Sequence, residues 1–306
     1  MKPATQFCAA IFLACSAWAC FGQDQQATGP VTPSAPMPSP VVEDPDPSSD
    51  ATILPFVPSY GFDLSDVEHA VQNKLSVQVS GTVQSKHIWH GFDLMAGHSV
   101  FFPVATLALA DTGLSAKVIG AYAIDGGLGQ RDELNGALFY TRDFLPETRW
   151  ATHGTLNYFY YGKPRVPSQR ADAQEIGLGL SWPQLLGDGA PVPSYYLGRL
   201  WPTEHESLVG GIGGFIHVFG LTYKLAVPNP GAPDDPQFFK LYGDLTYNDG
   251  FGGAGHGWSH MTFGTSTDLT AGKAIITPAL NYQLSMKDSI NPESGFWGGL
   301  TFTYRF

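Results

Sequence analysis

The sequence predicts an all-β chain: a transmembrane antiparallel up-and-down β-barrel of about 12 strands, with a disordered N-terminal extension. Three observations carry the expectation. From Lys74 to Phe306 the chain repeats short segments in which apolar and polar residues alternate, the period of strands with one apolar and one polar face. Charged residues make up only 14% of the 306-residue chain, whereas soluble domains carry about a quarter. No stretch reaches the roughly 20 consecutive apolar residues of a spanning helix, and a barrel needs none, because inward polar residues dilute hydropathy along each strand.

The elements follow in order. Met1-Lys2 is a short basic start and Phe7 to Trp18 an apolar run too short to cross a bilayer. Ala17-Trp18-Ala19 offers a small-x-small cleavage site, so residues 1–22 read as a Sec signal peptide cut after Ala19 or near Gly22. Cys8, Cys15 and Cys20 all lie in or beside this segment, which leaves the exported body without a disulfide. Trp18 ahead of Ala19-Cys20 is a poor match to a lipid-attachment site. Residues 23–59 are rich in Pro, Ser and Asp, a composition that cannot bury enough apolar surface to offset ordering. They read as a periplasmic tether, either an inert spacer or a contact with the cell wall. Between Gln23 and Asn73 stand eight acidic residues and no Lys or Arg, whereas Lys74–Phe306 holds 19 acidic against 15 basic. Residues 60–73 are a short lead-in, with a helix expected over Asp63–Asn73 capped by Asp63 or Ser65.

Twelve strands are expected in residues 74–306: Lys74–Trp89, Val100–Ala110, Leu114–Ile124, Glu133–Arg142, Arg149–Tyr161, Ala173–Trp182, Ser194–Leu200, Val209–Leu225, Phe238–Asn248, Trp258–Asp268, Lys273–Lys287 and Phe296–Phe306. An even number returns the C-terminus to the side where the tether enters. Asp111-Thr112-Gly113 and Thr270-Ala271-Gly272 read as tight turns on that side, and two longer links there run through Gly187-Asp188-Gly189 and Pro228-Asn229-Pro230-Gly231. Outward aromatics near strand ends are expected at Trp89, Trp150, Tyr158, Tyr160, Trp182, Trp201, Tyr223, Tyr282 and Phe306.

Two resemblances sharpen the expectation. The last strand carries Phe296, Gly298, Leu300, Phe302, Tyr304 and Phe306 on one face and Trp297, Gly299, Thr301, Thr303 and Arg305 on the other. It resembles the closing strand of bacterial outer-membrane barrels. That likeness implies that Phe302, Tyr304 and Phe306 are an assembly signal for the barrel-assembly machinery, in the outer membrane. Val83-Gln84-Ser85-Lys86-His87-Ile88-Trp89-His90-Gly91-Phe92, followed by Phe102-Pro103-Val104, resembles the start of the TorF-type porins; Tyr160-Tyr161-Gly162 and Asp172 to Leu178 resemble their middle. His87 and His90 stand where that pattern favours Tyr and Arg. The resemblance implies a channel-forming barrel.

With Leu75, Phe239, Ala274 and Phe306 facing lipid, the register turns Lys86, Lys117, Glu175, Lys240, Asp244, Lys273, Lys287 and Arg305 into the lumen. Charge on the lipid face costs about 2–4 kcal/mol near the midplane, so inward placement is expected. These residues are the expected pore lining, and their slight basic excess suits a weak anion preference or mutual pairing. His87 and His90, three apart on an expected strand, point to opposite faces and make a poor metal pair. His256 and His260 share a face only if their loop is extended. An outer-membrane hydrolase of the phospholipase type would need Ser, His and a polar orienter on the outer wall. His153, Ser181 and Asn157 are available, but no spacing selects them, and His153 and Asn157 fall on the lumen side. No phosphate-cradling glycine loop and no basic nucleic-acid footprint is present. The expected function is passive diffusion of small polar solutes, without enzymatic activity, cofactor, metal or nucleic-acid partner. A hydrolase and a closed structural barrel are the alternatives.

Overall fold

The computed structural model describes residues 75–109, 112–124, 128–166, 172–203, 213–228 and 237–306. The expected signal peptide, tether and short helix lie outside the described residues. The strands are β1 Ser76–Gln84, β2 Ile88–Trp89, β3 Phe92–Asp93, β4 Val100–Leu109, β5 Leu114–Ala123, β6 Glu133–Phe144, β7 Thr152–Gly162, β8 Ala173–Ser181, β9 Val192–Pro202, β10 Gly214–Val227, β11 Gln237–Asp249, β12 Gly257–Thr267, β13 Leu269–Ala271, β14 Ala274–Ser285 and β15 Gly295–Arg305. Apart from the small β2–β3 pair, each strand hydrogen-bonds antiparallel to its neighbours in the chain, and β1 closes the sheet on β15 from Gln78↔Arg305 to Gln84↔Gly299. The three-residue β13 continues β12 past Asp268, so the sheet of 13 strands is a barrel of 12 staves. Closure leaves no sheet edge, so the backbone polar groups of the wall are paired within the barrel.

The alternation seen in the sequence becomes an outside and an inside. Leu138 is 59% exposed and Leu300 54%, in an outward belt with Val118, Leu156, Phe219 and Leu280. Apolar exposure on this scale fits lipid and not water. The expected lipid-facing Leu75, Phe239 and Phe306 are exposed in this belt. Both described termini lie at one end of the staves, the terminal rim, where the Phe306 N–H donates to the Val77 carbonyl (3.0 Å). There Gly113 makes the β4–β5 turn at φ +74°, and a Cβ on it would stand 2.0 Å from the Thr141 carbonyl oxygen. Only glycine fits that turn.

The first expected strand is shorter than the sequence suggested. β1 stops at Gln84, and Ile88–Trp89 belongs to the separate β2–β3 hairpin. His90 and Gly91, at φ +44° and +92°, supply the pair of positive φ values that a two-residue type I′ turn requires. This hairpin leaves the far rim and folds back inside the barrel.

Candidate functional site: a hairpin folded into the lumen

A barrel of this strand number is wider than its own inward side chains can fill. In the half near the far rim, the segment 85–99 fills it. Phe102, Ile119, Phe159, Tyr161, Leu200 and Ile216 turn inward from β4, β5, β7, β9 and β10, and Trp89, Leu94 and Met95 of the hairpin segment pack against them. Trp89, expected among the outward interface aromatics, is fully buried, with its ring centroid 5.8 Å from Tyr161 and 5.2 Å from Phe251. Apolar side chains on a rim loop and an apolar inner flank bury each other, and that burial draws the loop inward.

Polar contacts then fix the hairpin's position. Glu175, fully buried on β8, accepts from the Tyr161 hydroxyl (2.6 Å, Oε2) and the Tyr196 hydroxyl (2.5 Å, Oε1). His90 stacks on Tyr196, and its Nε2 lies 3.7 Å from Glu175 Oε1. The Arg131 guanidinium donates to the Leu94 carbonyl (3.1 Å), and Gln283 Nε2 on β14 donates to the Gly91 carbonyl (2.9 Å). The two histidines therefore do not point to opposite faces. The chain is not an extended strand at this point, and both rings turn inward, with His87 edge-on to Phe102. Burial first, and then the Lys163 charge, push the His87 imidazole down to about 3. Burial likewise lowers the Lys163 ammonium from its ordinary range, opposed by Glu133 and Asp172.

The second histidine pair separates too. A bulge sets Thr246 opposite His260 and Tyr247 opposite Trp258, leaving Ser259 as the extra residue. His260 is thereby buried beside Gly91, while the exposed His256 bonds to Asp249. Among the described residues no group of three or more His, Cys, Asp or Glu side chains gathers as metal ligands would.

The expected lining residues occupy different levels. Lys117, Glu175, Lys240, Asp244 and Arg305 lie on the inner face, Lys86 at the far rim, and Lys273 in the β13–β14 turn at the terminal rim. Lys240 sits directly across the ladder from Lys224, Lys117 lies over the Phe139 ring (5.3 Å), and Asp244 is hydrogen-bonded by Thr246 and Thr262. The basic members Lys117, Lys224, Lys240 and Arg305 thus gather toward the terminal rim, while Glu175 is sealed under the hairpin. Phe302, Tyr304 and Phe306 lie on the outer face of the β15 end, the last two rings 5.0 Å apart. His153, Ser181 and Asn157 all lie on the inner face. Asp143 Oδ1 meets His153 Nδ1 at 2.5 Å, and Ser181 stands opposite His153 in the ladder.

Sequence reading missed the hairpin, although two signals for it were present. His90-Gly91 between Trp89 and Phe92 is a two-residue turn, and Ala96-Gly97, at φ +49° and +81°, is a second left-handed pair before β4.

These features define the class: a membrane-spanning antiparallel β-barrel of the outer-membrane type, with a rim loop folded inside. The sequence matches no protein-family profile, and no curated relative aligns with it. Among solved structures, the chain is similar to the NanC porin, at 10% identity over 75% of this chain and 100% of that one, with a TM-score of 0.45. LpxR from Salmonella typhimurium aligns at 10% identity over 75% and 100%, TM-score 0.43. An outer-membrane channel from Pseudomonas putida F1 aligns at 10% over 78% and 97%, TM-score 0.42. Likenesses this distant decide nothing about activity.

Proposed function

We propose that the protein is an outer-membrane channel for passive diffusion of small polar solutes, narrowed near the far rim by the hairpin segment 85–99. The observation that carries this reading is the unequal inner wall. The hairpin packs on the apolar flank formed by β4–β10 and touches β12 and β14 only at its tip, while β11, β12, β14, β15 and β1 carry a polar inner face that includes the buried Thr82, Thr246, Thr262, Asn281 and Gln283. The resemblance to TorF-type porins supports the same reading. The lysines near the terminal rim support a weak anion preference in ion flux, because charges at a mouth bias entry without setting strict selectivity.

Single-channel recording of the full chain in planar bilayers tests the reading. Small discrete steps are expected, and replacing residues 88–95 with a short Gly-Ser link should enlarge them several-fold. Correctly folded protein that stays silent in both forms would overturn it.

One rung of the wall favours a second reading, a hydrolase acting within the lumen. Asp143, His153 and Ser181 lie side by side on β6, β7 and β8, in the order acid, base and nucleophile. It ranks second because the backbone N–H groups of these strands are committed to the ladder and offer no oxyanion site. Labelling of Ser181 by a fluorophosphonate probe, lost in His153→Ala, would promote it; absence of labelling removes it.

A further inference from the structure

We infer that the cleft beside the hairpin takes uncharged polyhydroxylated solutes of monosaccharide size, sugars and polyols. The inference rests on the channel reading above and narrows it to a solute class.

A cleft of about 50 Å³ opens between hairpin and wall near the far rim, with Lys86 and Asp93 on the hairpin side and Asn291, Glu293, Gln283 and Trp297 on the wall side. Gln283 is 1% exposed. Its Nε2 is engaged by the Gly91 carbonyl, whereas its buried Oε1 has no hydrogen-bond partner. That leaves a buried acceptor at the cleft in need of a donor, and a hydroxyl group supplies one. Trp297 lines the same cleft with a nearly buried indole (3% exposed), which bounds the space beside Gln283.

Further along the polar arc of the wall the inward groups are hydroxyls and amides around one carboxyl group, Asp244, which Thr246 and Thr262 hydrogen-bond. Thr82 and Thr301 share a hydrogen bond of 2.9 Å, and the Tyr242 hydroxyl donates to Asn281. A polyol can exchange its water contacts one for one with such groups. The charged groups are Lys86, Asp93 and Glu293 around the cleft, Asp244 on the arc, and Lys240 and Arg305 toward the terminal rim. The cleft admits the edge of a ring and not a disaccharide, so the hairpin sets an upper size.

The test uses the full chain in liposomes, with swelling in isosmotic glucose, mannitol and maltotriose measured beside potassium chloride conductance. Glucose and mannitol should enter readily, maltotriose should not, and millimolar glucose should interrupt the chloride current. Gln283→Leu and Trp297→Ala should each lower glucose entry relative to potassium chloride conductance by about fivefold or more, the factor that one lost hydrogen bond represents. Heat-dependent gel mobility checks that each variant is folded, and glucose block of the wild-type current needs no variant. Ion conductance without sugar entry or block would overturn the inference and leave the channel standing. Equal loss of both fluxes in the variants would overturn the assigned cleft. Absence of any flux would remove the channel reading itself.

Discussion

Glu175 is a carboxylate with no route to water, and its two tyrosine donors replace the hydration it gives up. In Glu175→Ala, the Tyr161 and Tyr196 hydroxyls lose that acceptor in a buried setting, at about 1–3 kcal/mol each. Urea unfolding in detergent should show the loss, and Glu175→Gln should recover part of it. Gly91 is limited in another way. Its φ of +92° disfavours any side chain, and a Cβ would lie 2.5 Å from His260 Nδ1 and 2.7 Å from Ile290 Cγ2. Gly91→Ala should therefore undock the hairpin tip at roughly 1–3 kcal/mol, read as faster proteolysis between residues 85 and 99.

The hairpin as an element is sensitive to pH through His87. The docked imidazole titrates at about 3 against an ordinary 6.5, so a released hairpin binds a proton that the docked one refuses. Docking is at full strength above about pH 6.5 and weakens progressively as the pH falls from there toward 3. The groups facing this contact are Lys163 beside His87, and Glu175 and His260 near His90. A second buried proton next to Lys163 is unfavourable, which fixes the sign. Quenching of the buried Trp89 by acrylamide should rise between pH 7.5 and pH 5, and His87→Gln should flatten that rise.

At the scale of the whole molecule, the barrel is held by a closed ladder, from β1 on β15 round to β12 on β14. A closed ladder has no end from which to fray, so unboiled protein in detergent should migrate apart from boiled protein. The inner and outer faces respond oppositely to charge. Leu138→Arg, in the middle of the outward belt, should cost about 2–4 kcal/mol in lipid refolding titrations. Lys240→Met, which removes one of two like charges placed directly opposite, should cost less than Leu138→Arg in the same titration.

Local pattern alone determined the staves. Period-2 alternation is a property of neighbouring residues, and closure demands that every stave have one lipid face, so eleven of the twelve strands were legible to within a few residues of their ends. The exception was the first, where alternation in Ser85–Trp89 imitates a strand although its partner is not the next stave. The inward placement of Lys117, Glu175, Lys240, Asp244 and Arg305 followed from the same parity. What only the tertiary structure decided is what fills the barrel. Trp89, Leu94 and Met95 could have met lipid, solvent or lumen, and no local rule separates those outcomes. The apolar flank that receives them is assembled from strands as far apart in sequence as β4 and β10. The Ser259 bulge, which buries His260 and exposes His256, is likewise a matter of register between two strands. Alternation reports which way a side chain points, but the content of a lumen depends on what stands across it.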